Sequence, residues 1–336
     1  MMRKTYIQFL RVISMFAVIA THVCTTAWTD FPGFTISGGA LYRTIISVCH
    51  FAVPVFFMIT GALMLNPNKQ ISLEKLFKKY ILKYSLVILV FCWFFALLEE
   101  YFYVKELTFN IFITSFFSML QGKSWAHMWY MYTLLGTMFA VPMLRFITKY
   151  AEKNINYICI TGIIFLSFCP LIETYTGFKF GIVFPISVIY PFYMLIGFWI
   201  DNGKYEMNNK ICIFLIVTCV VVLTGLSILN QYINFSISYA AYNSPIIVVF
   251  SVALFSIFKN SKFQESKITN FLDKISFGVY IVHMFWINIL YKFIKLNPFN
   301  LINPLIGFIV LFIFISCLSI ASSWFLKKIP GIRKLI

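Results

Sequence analysis

Two ionisable residues stand inside the first apolar run of this chain, Arg11 and His22 in RVISMFAVIATH. Eleven residues apart, they return to nearly the same face of a helix, about 16 Å apart along its axis. Ionisable side chains are costly inside a membrane segment and are functional candidates there by default. A neutral imidazole can accept a proton from a hydroxyl. A guanidinium can hold phosphate or stabilise a developing oxyanion. Each residue alone has a simpler reading: a snorkelling arginine, and a histidine that hydrogen-bonds two helices together. Their shared face argues for a site. The remaining histidines, His50, His127 and His283, fall at or outside the midplane of the spans predicted below. His50 reads as structural. His127 lies in the aromatic patch WAHMWYMY, where an interfacial anchor and a functional group are equally natural. Glu99 and Glu100 close a span on its outer side, and a solvated helix end is their simpler reading.

The elements that must position these residues are set by composition. Hydrophobic residues make up 61% of the 336 and charged residues 11%, against about 45–50% and about 25% in soluble domains. Mean hydropathy is +0.87. So few charges cannot cover a water-facing surface, and the expected fold is an all-α, polytopic membrane bundle of about ten transmembrane helices. Spans of the required length fall near 7–27, 45–65, 82–98, 128–147, 155–172, 182–200, 211–229, 240–258, 275–294 and 301–326. The apolar stretch 107–120 is too short to cross and reads as interfacial or re-entrant. With the N-terminus inside, the outer segments carry only six of the 27 Lys and Arg: Arg43, Lys105, Lys123, Lys179, Lys292 and Lys295. Arg11 and Lys83 lie within spans, and the other nineteen fall inside. That bias predicts both termini in the cytoplasm.

The formal charge of +16 is therefore explained by orientation in the bilayer, and no basic, aromatic-interleaved face outside the spans suggests nucleic acid. The eight cysteines all lie in apolar segments without CxxC or zinc spacing, so they read as small buried hydrophobes and no metal is expected. The start, MMRKTYIQFL, resembles a signal-peptide n-region. Arg11 interrupts its apolar run and no small-residue cleavage site follows, so a retained first helix is expected. No fixed repeat or linker divides the chain, and residues 1–336 read as one domain with a core of about 5–326.

Four segments in order resemble the integral-membrane acyltransferase-3 family, which includes sugar O-acetyltransferases. They are the Arg11-x10-His22 spacing; VPVFFMITGALML at the end of span two; HMWYMYTLLG followed by Pro142 in span four; and ISFGVYIVH in span nine. YPFYMLIGFWI in span six is a weaker match. The resemblance covers about residues 5–326 and implies a ten-helix core. It implies transfer of an acyl group, acetyl from acetyl-CoA, to a hydroxyl of a cell-envelope glycan or lipid-linked glycan, in a bacterial plasma membrane. In that reading His22 is a general base or transient acyl carrier, and Arg11 meets the donor phosphates or the thioester oxyanion. His283, Tyr280, Ser276, His127, Trp129 and Tyr130 shape the site, and Lys75, Lys78 and Lys79 attract the CoA nucleotide at the cytoplasmic mouth. Acetyl-CoA is then a substrate, with no resident cofactor. The family commonly has arginines after span two, where this chain has LEKLFKKYILKY with lysines only, which lose bidentate phosphate geometry. No extracytoplasmic esterase-like domain, such as is fused to some members, is expected from these residues.

Two rival readings are weighed against this one. An exporter or flippase for a lipid-linked sugar or polysaccharide would also use intramembrane Arg and His. It would predict a matched pair of Gly/Pro-broken helices in the two halves, and Pro245 is unmatched. A non-catalytic sensor or scaffold leaves the Arg11–His22 face unexplained.

Overall fold

The computed structural model describes residues 4–106, 108–181, 188–233 and 239–336. Among them helix is the only regular secondary structure, and eight helices are long and apolar enough to cross a membrane. These are α1 (Thr5–Asp30), α2 (Ile36–Met64), α3 (Leu73–Phe102), α5 (Ala126–Tyr150), α6 (Glu152–Thr176), α8 (Asn209–Leu229), α10 (Lys267–Phe293) and α11 (Pro304–Leu326). Three shorter helices lie between them: α4 (Phe109–Leu120), α7 (Tyr190–Asp201) and α9 (Pro245–Asn260). A four-residue turn of helix, α12 (Ile332–Leu335), ends the chain. The protein is a polytopic membrane helical bundle.

The two predicted spans that are not among the eight correspond to α7 and α9. Both helices open on proline, Pro191 and Pro245, which fits the first turn because its missing N–H would find no helical acceptor there. They therefore start later than apolarity alone suggests. The first residues of the predicted 182–200 span, 182–187, lie outside the described residues. The 107–120 stretch becomes α4, twelve residues long and packed on α3, where Trp93 Nε1 donates to Ser115 Oγ at 3.1 Å and Ser118 Oγ donates to Glu100 at 3.2 Å.

Segments expected on the same side of the bilayer meet in the fold. On the basic side, Lys4 pairs with Asp201 at 2.5 Å, Lys204 with Glu152 at 3.0 Å, and Lys327 donates to the Lys274 carbonyl. Arg145 of α5 reaches across to the carbonyls of Met64, Asn66 and Lys69 at 2.5–3.1 Å. The Met64 carbonyl belongs to the last turn of α2, which has no helical partner for it, and the other two lie in the turn that follows. On the opposite side, Tyr42 donates to the Pro304 carbonyl, Arg43 covers the Trp28 ring, and Phe102 meets Phe293.

The tightest helix crossing in the bundle holds α2 against α7. A Cβ added at Gly61 would collide with the Met194 carbonyl, and one at Gly197 with the Met58 carbonyl. In lipid, where no hydrophobic force drives helices together, such small residues let backbones approach and pack by dispersion. This crossing braces α2 behind α1, the helix that carries Arg11 and His22.

Candidate active site

The site is built on α1, α10 and the first turn of α5. On α10, Asp273, Ser276, Tyr280 and His283 follow one another at intervals of three, four and three, which places them on one stripe of the helix. That stripe faces the Arg11–His22 face of α1. At its inner end the Arg11 guanidinium donates from Nη1 to Asp273 Oδ1, an ion pair whose carboxylate is almost fully buried, at 3% exposure, while Arg11 keeps 27%. At its outer end His283 lies 5.2 Å, ring centre to ring centre, from His22. The 11-residue spacing on α1 is matched by the ten-residue spacing from Asp273 to His283 on α10.

His127, from the first turn of α5, completes a cluster. Its ring centre is 5.1 Å from that of His283 and 6.2 Å from that of His22. His127 and His283 are fully buried, and His22 is half-buried. Backbone carbonyls fix the tautomers of the two buried rings. The Ile281 carbonyl accepts from His127 Nε2 at 3.1 Å, and the Tyr280 carbonyl accepts from His283 Nδ1 at 2.6 Å. The proton of each neutral ring is thereby held at that atom. His127 Nδ1 and His283 Nε2 are left without a partner among the described residues, so each presents a lone pair. The unpartnered ring is His22: neither of its nitrogens hydrogen-bonds to a described residue. Among the described residues no group of His, Cys, Asp or Glu is arranged to hold a metal ion.

Inward of the histidines lies a cavity of about 340 Å³. Its charged lining is Arg11, Asp273, Lys69 and Lys83, and its aromatic wall includes Tyr80, Tyr84, Tyr130 and Tyr280. Tyr280 separates the two regions. Its ring lines the cavity on one side and lies 6.0 Å from His283 on the other, and its hydroxyl donates to the His127 carbonyl at 2.5 Å. Ser276 lines the same cavity and donates to the Asp273 carbonyl at 2.9 Å. Lys69, in the turn between α2 and α3, has its ammonium pKa lowered, first by burial and then by Lys75, Lys79, Arg145 and Lys4.

The sequence-predicted residues are distributed as follows. Arg11, Ser276, Tyr280 and Tyr130 line the cavity, and His22, His127 and His283 form the cluster. Trp129 sits apart, in an aromatic group with Tyr190 and Tyr242, 5.8 and 5.5 Å away. His50 also touches Tyr242 and hydrogen-bonds the Ala240 carbonyl, a structural position. Lys75, Lys78 and Lys79 do not line the cavity; Lys78 pairs with Glu74, and Lys79 lies over Tyr80. Lys69 and Lys83 line it instead. Glu99 accepts from Trp125 Nε1 at 2.9 Å and reaches no histidine. Asp273 and Lys69 were not singled out by sequence. The three-four-three stripe on α10 is the signal that could have found Asp273.

The family model described as an acyltransferase domain matches residues 4–328, nearly the whole chain. The chain belongs to the acyltransferase-3 family. No curated protein and no solved structure matches it. Membership makes the protein a membrane acyltransferase and gives the arrangement just described a reaction class. An acyl transfer needs a base for the acceptor and a place for the donor's charge. The histidine cluster offers the first and the cationic cavity the second, joined along α1 and α10.

Proposed function

We propose that this protein moves acetyl from cytoplasmic acetyl-CoA to a hydroxyl of a cell-envelope carbohydrate, in a bacterial plasma membrane. The observation that carries this reading is the stacking of two unlike regions along one pair of helices, a cationic cavity inward and three histidines outward. The cavity suits the thin acyl-pantetheine arm rather than the whole cofactor. Its volume is at the lower end of small-molecule sites, so the adenosine stays outside, toward Lys75, Lys78 and Lys79, and only the pyrophosphate at the head of the arm reaches Arg11, Lys69 and Lys83. From Arg11 the arm spans the roughly 16 Å to the level of His22.

His22 is the base in this reading. It takes the proton of the acceptor hydroxyl as that oxygen attacks the thioester carbonyl. The C–O bond forms, the C–S bond breaks, and the proton passes to the departing thiolate. Arg11, held by Asp273, meets the donor's negative charge with its remaining N–H groups. His127 and His283 present lone pairs beside His22 and can receive its N–H while its other nitrogen faces the acceptor.

The test is purified protein with labelled acetyl-CoA and envelope glycan. Wild type is expected to consume thioester and label the glycan, and His22→Ala to lose this by about 10²–10⁴-fold while still inserting in the membrane. Full activity in the variant rules out His22 as base. Glycan movement that needs no acetyl group would favour an exporter instead.

A further inference from the structure

A second cavity of about 750 Å³ opens between the ends of α3 and α10 that lie away from the basic side. It is lined by Lys105, Lys292 and Lys295, with Tyr101, Phe102, Phe293 and Glu99. Three features separate it from an ordinary loop surface. Outer segments of this chain carry only six cations, and half of them converge here. Lys105 and Lys295 both adopt left-handed backbone, with φ of 61° and 58°, a conformation unusual for a residue with a Cβ. The rings of Tyr101 and Phe293 are exposed within the same cavity, offering flat apolar faces beside the ammonium groups.

The cavity also touches the histidine cluster through a continuous wall. Glu99, which lines it, holds the Trp125 indole at 2.9 Å. Trp125 stacks on Phe95 at 4.4 Å, and Phe95 meets the His127 ring edge-on at 5.5 Å. Along α10, Lys292 lies nine residues beyond His283, about 13 Å outward.

We infer that this cavity is the docking site for the acceptor, and that the acceptor is an anionic glycan carrying phosphate or carboxylate groups. The inference rests on the acyltransfer reading and adds the substrate class. Ammonium groups attract the anion, and the exposed rings pack against the C–H faces of sugar rings. A lipid headgroup, whose interfacial region covers such rings as well, is the rival occupant that the anionic-lipid outcome below separates. The 13 Å offset places the bound anion well away from the reacting hydroxyl, so the acceptor is an oligomer rather than a single sugar.

The experiment uses full-length protein in nanodiscs of neutral lipid. The probes are a glycerol-phosphate oligomer, an oligogalacturonate and neutral dextran, with acetyl-CoA thioester cleavage measured on the same preparation. Wild type is expected to bind at least one anionic oligomer in a salt-sensitive manner and to ignore dextran. Replacing all three lysines with Gln should weaken binding about tenfold or more and raise the KM for the bound oligomer in acetyl transfer accordingly, while replacing them with Arg preserves binding. Dextran binding equal to the anionic probes, wild type binding neither anionic oligomer, or unchanged affinity in the Gln variant would each overturn it. So would displacement of the bound oligomer by anionic lipid in the nanodisc, which would make the headgroup the occupant. Glycan binding without any thioester cleavage would leave this docking site standing and sink the acyltransfer reading instead.

Discussion

The inner cavity and the outer histidine cluster sit on the same two helices and solve opposite problems. The cavity holds two of its cations on protein acceptors. Asp273 holds Arg11, and Lys69 rests its ammonium on the Leu63 carbonyl at 2.7 Å. The cluster keeps no formal partner charges at all. Backbone carbonyls pin His127 and His283, and neither nitrogen of the third ring, His22, hydrogen-bonds to a described residue. A buried ion pair holds its geometry because removing either partner strands a charge. A neutral imidazole that gives or takes a proton needs the reverse, an unoccupied nitrogen. In the proposed reaction this contrast corresponds to electrostatics in the inner region and proton transfer in the outer one, with Tyr280 as the shared wall.

Breaking the inner pair should have the largest effect outside His22 itself. Removing one partner of a buried ion pair costs about 3–5 kcal/mol, and the partial exposure of Arg11 reduces this to roughly 2–3. Arg11→Ala and Asp273→Ala are each expected to cut transfer by about a hundredfold. If Asp273 acts by positioning Arg11, the double variant is little worse than either single one. Additive losses in that cycle would separate the two residues. Asp273→Glu, which keeps the charge, should recover part of the activity.

Much of the fold was legible in the sequence because membrane spans declare themselves by length and apolarity. The charge bias paired the correct segments with one another, as the Lys4–Asp201 and Arg145–loop contacts illustrate. The exceptions have local causes: Pro191 and Pro245 start α7 and α9 late. In the site, Arg11 and His22 were visible because one helix carries both. The convergence of His127 with His283 was not, since it depends on how α5 docks against α10. The lysines were harder still. Basic residues crowd the loop after α2, and only the packing of α3 against α5 decides that Lys69 and Lys83 face the cavity while Lys75 and Lys78 remain outside.

That difference can be tested directly. Lys69→Ala with Lys83→Ala should raise the KM for acetyl-CoA by roughly thirtyfold, since each ammonium near a phosphate contributes on the order of 1 kcal/mol. Lys75→Ala with Lys78→Ala should raise it only a few-fold, with most of that effect removed by salt. Equal effects from the two pairs would place the donor's charge at the mouth rather than in the cavity. Lys69 adds a pH dependence. Its pKa is lowered by burial and by neighbouring cations, so the free protein loses this charge earlier than an ordinary lysine as pH rises. Donor affinity should therefore weaken through that range in wild type and stay flatter in Lys69→Arg, whose guanidinium remains charged.

The smallest expected effect bears on the wall itself. Tyr280→Phe keeps the ring between cavity and cluster and removes only the hydroxyl that donates to the His127 carbonyl. A buried hydrogen bond of this kind is worth about 1 kcal/mol, so a loss of roughly fivefold is expected, carried by kcat rather than by the KM for acetyl-CoA. Tyr280→Ala would instead open the cavity to the histidines. Because that joins the two regions, it should raise thioester cleavage by water while transfer to glycan falls. If cleavage and transfer fall together in Tyr280→Ala, the ring is needed for chemistry on both sides, and the division between a charged donor region and a neutral proton-transfer region does not hold.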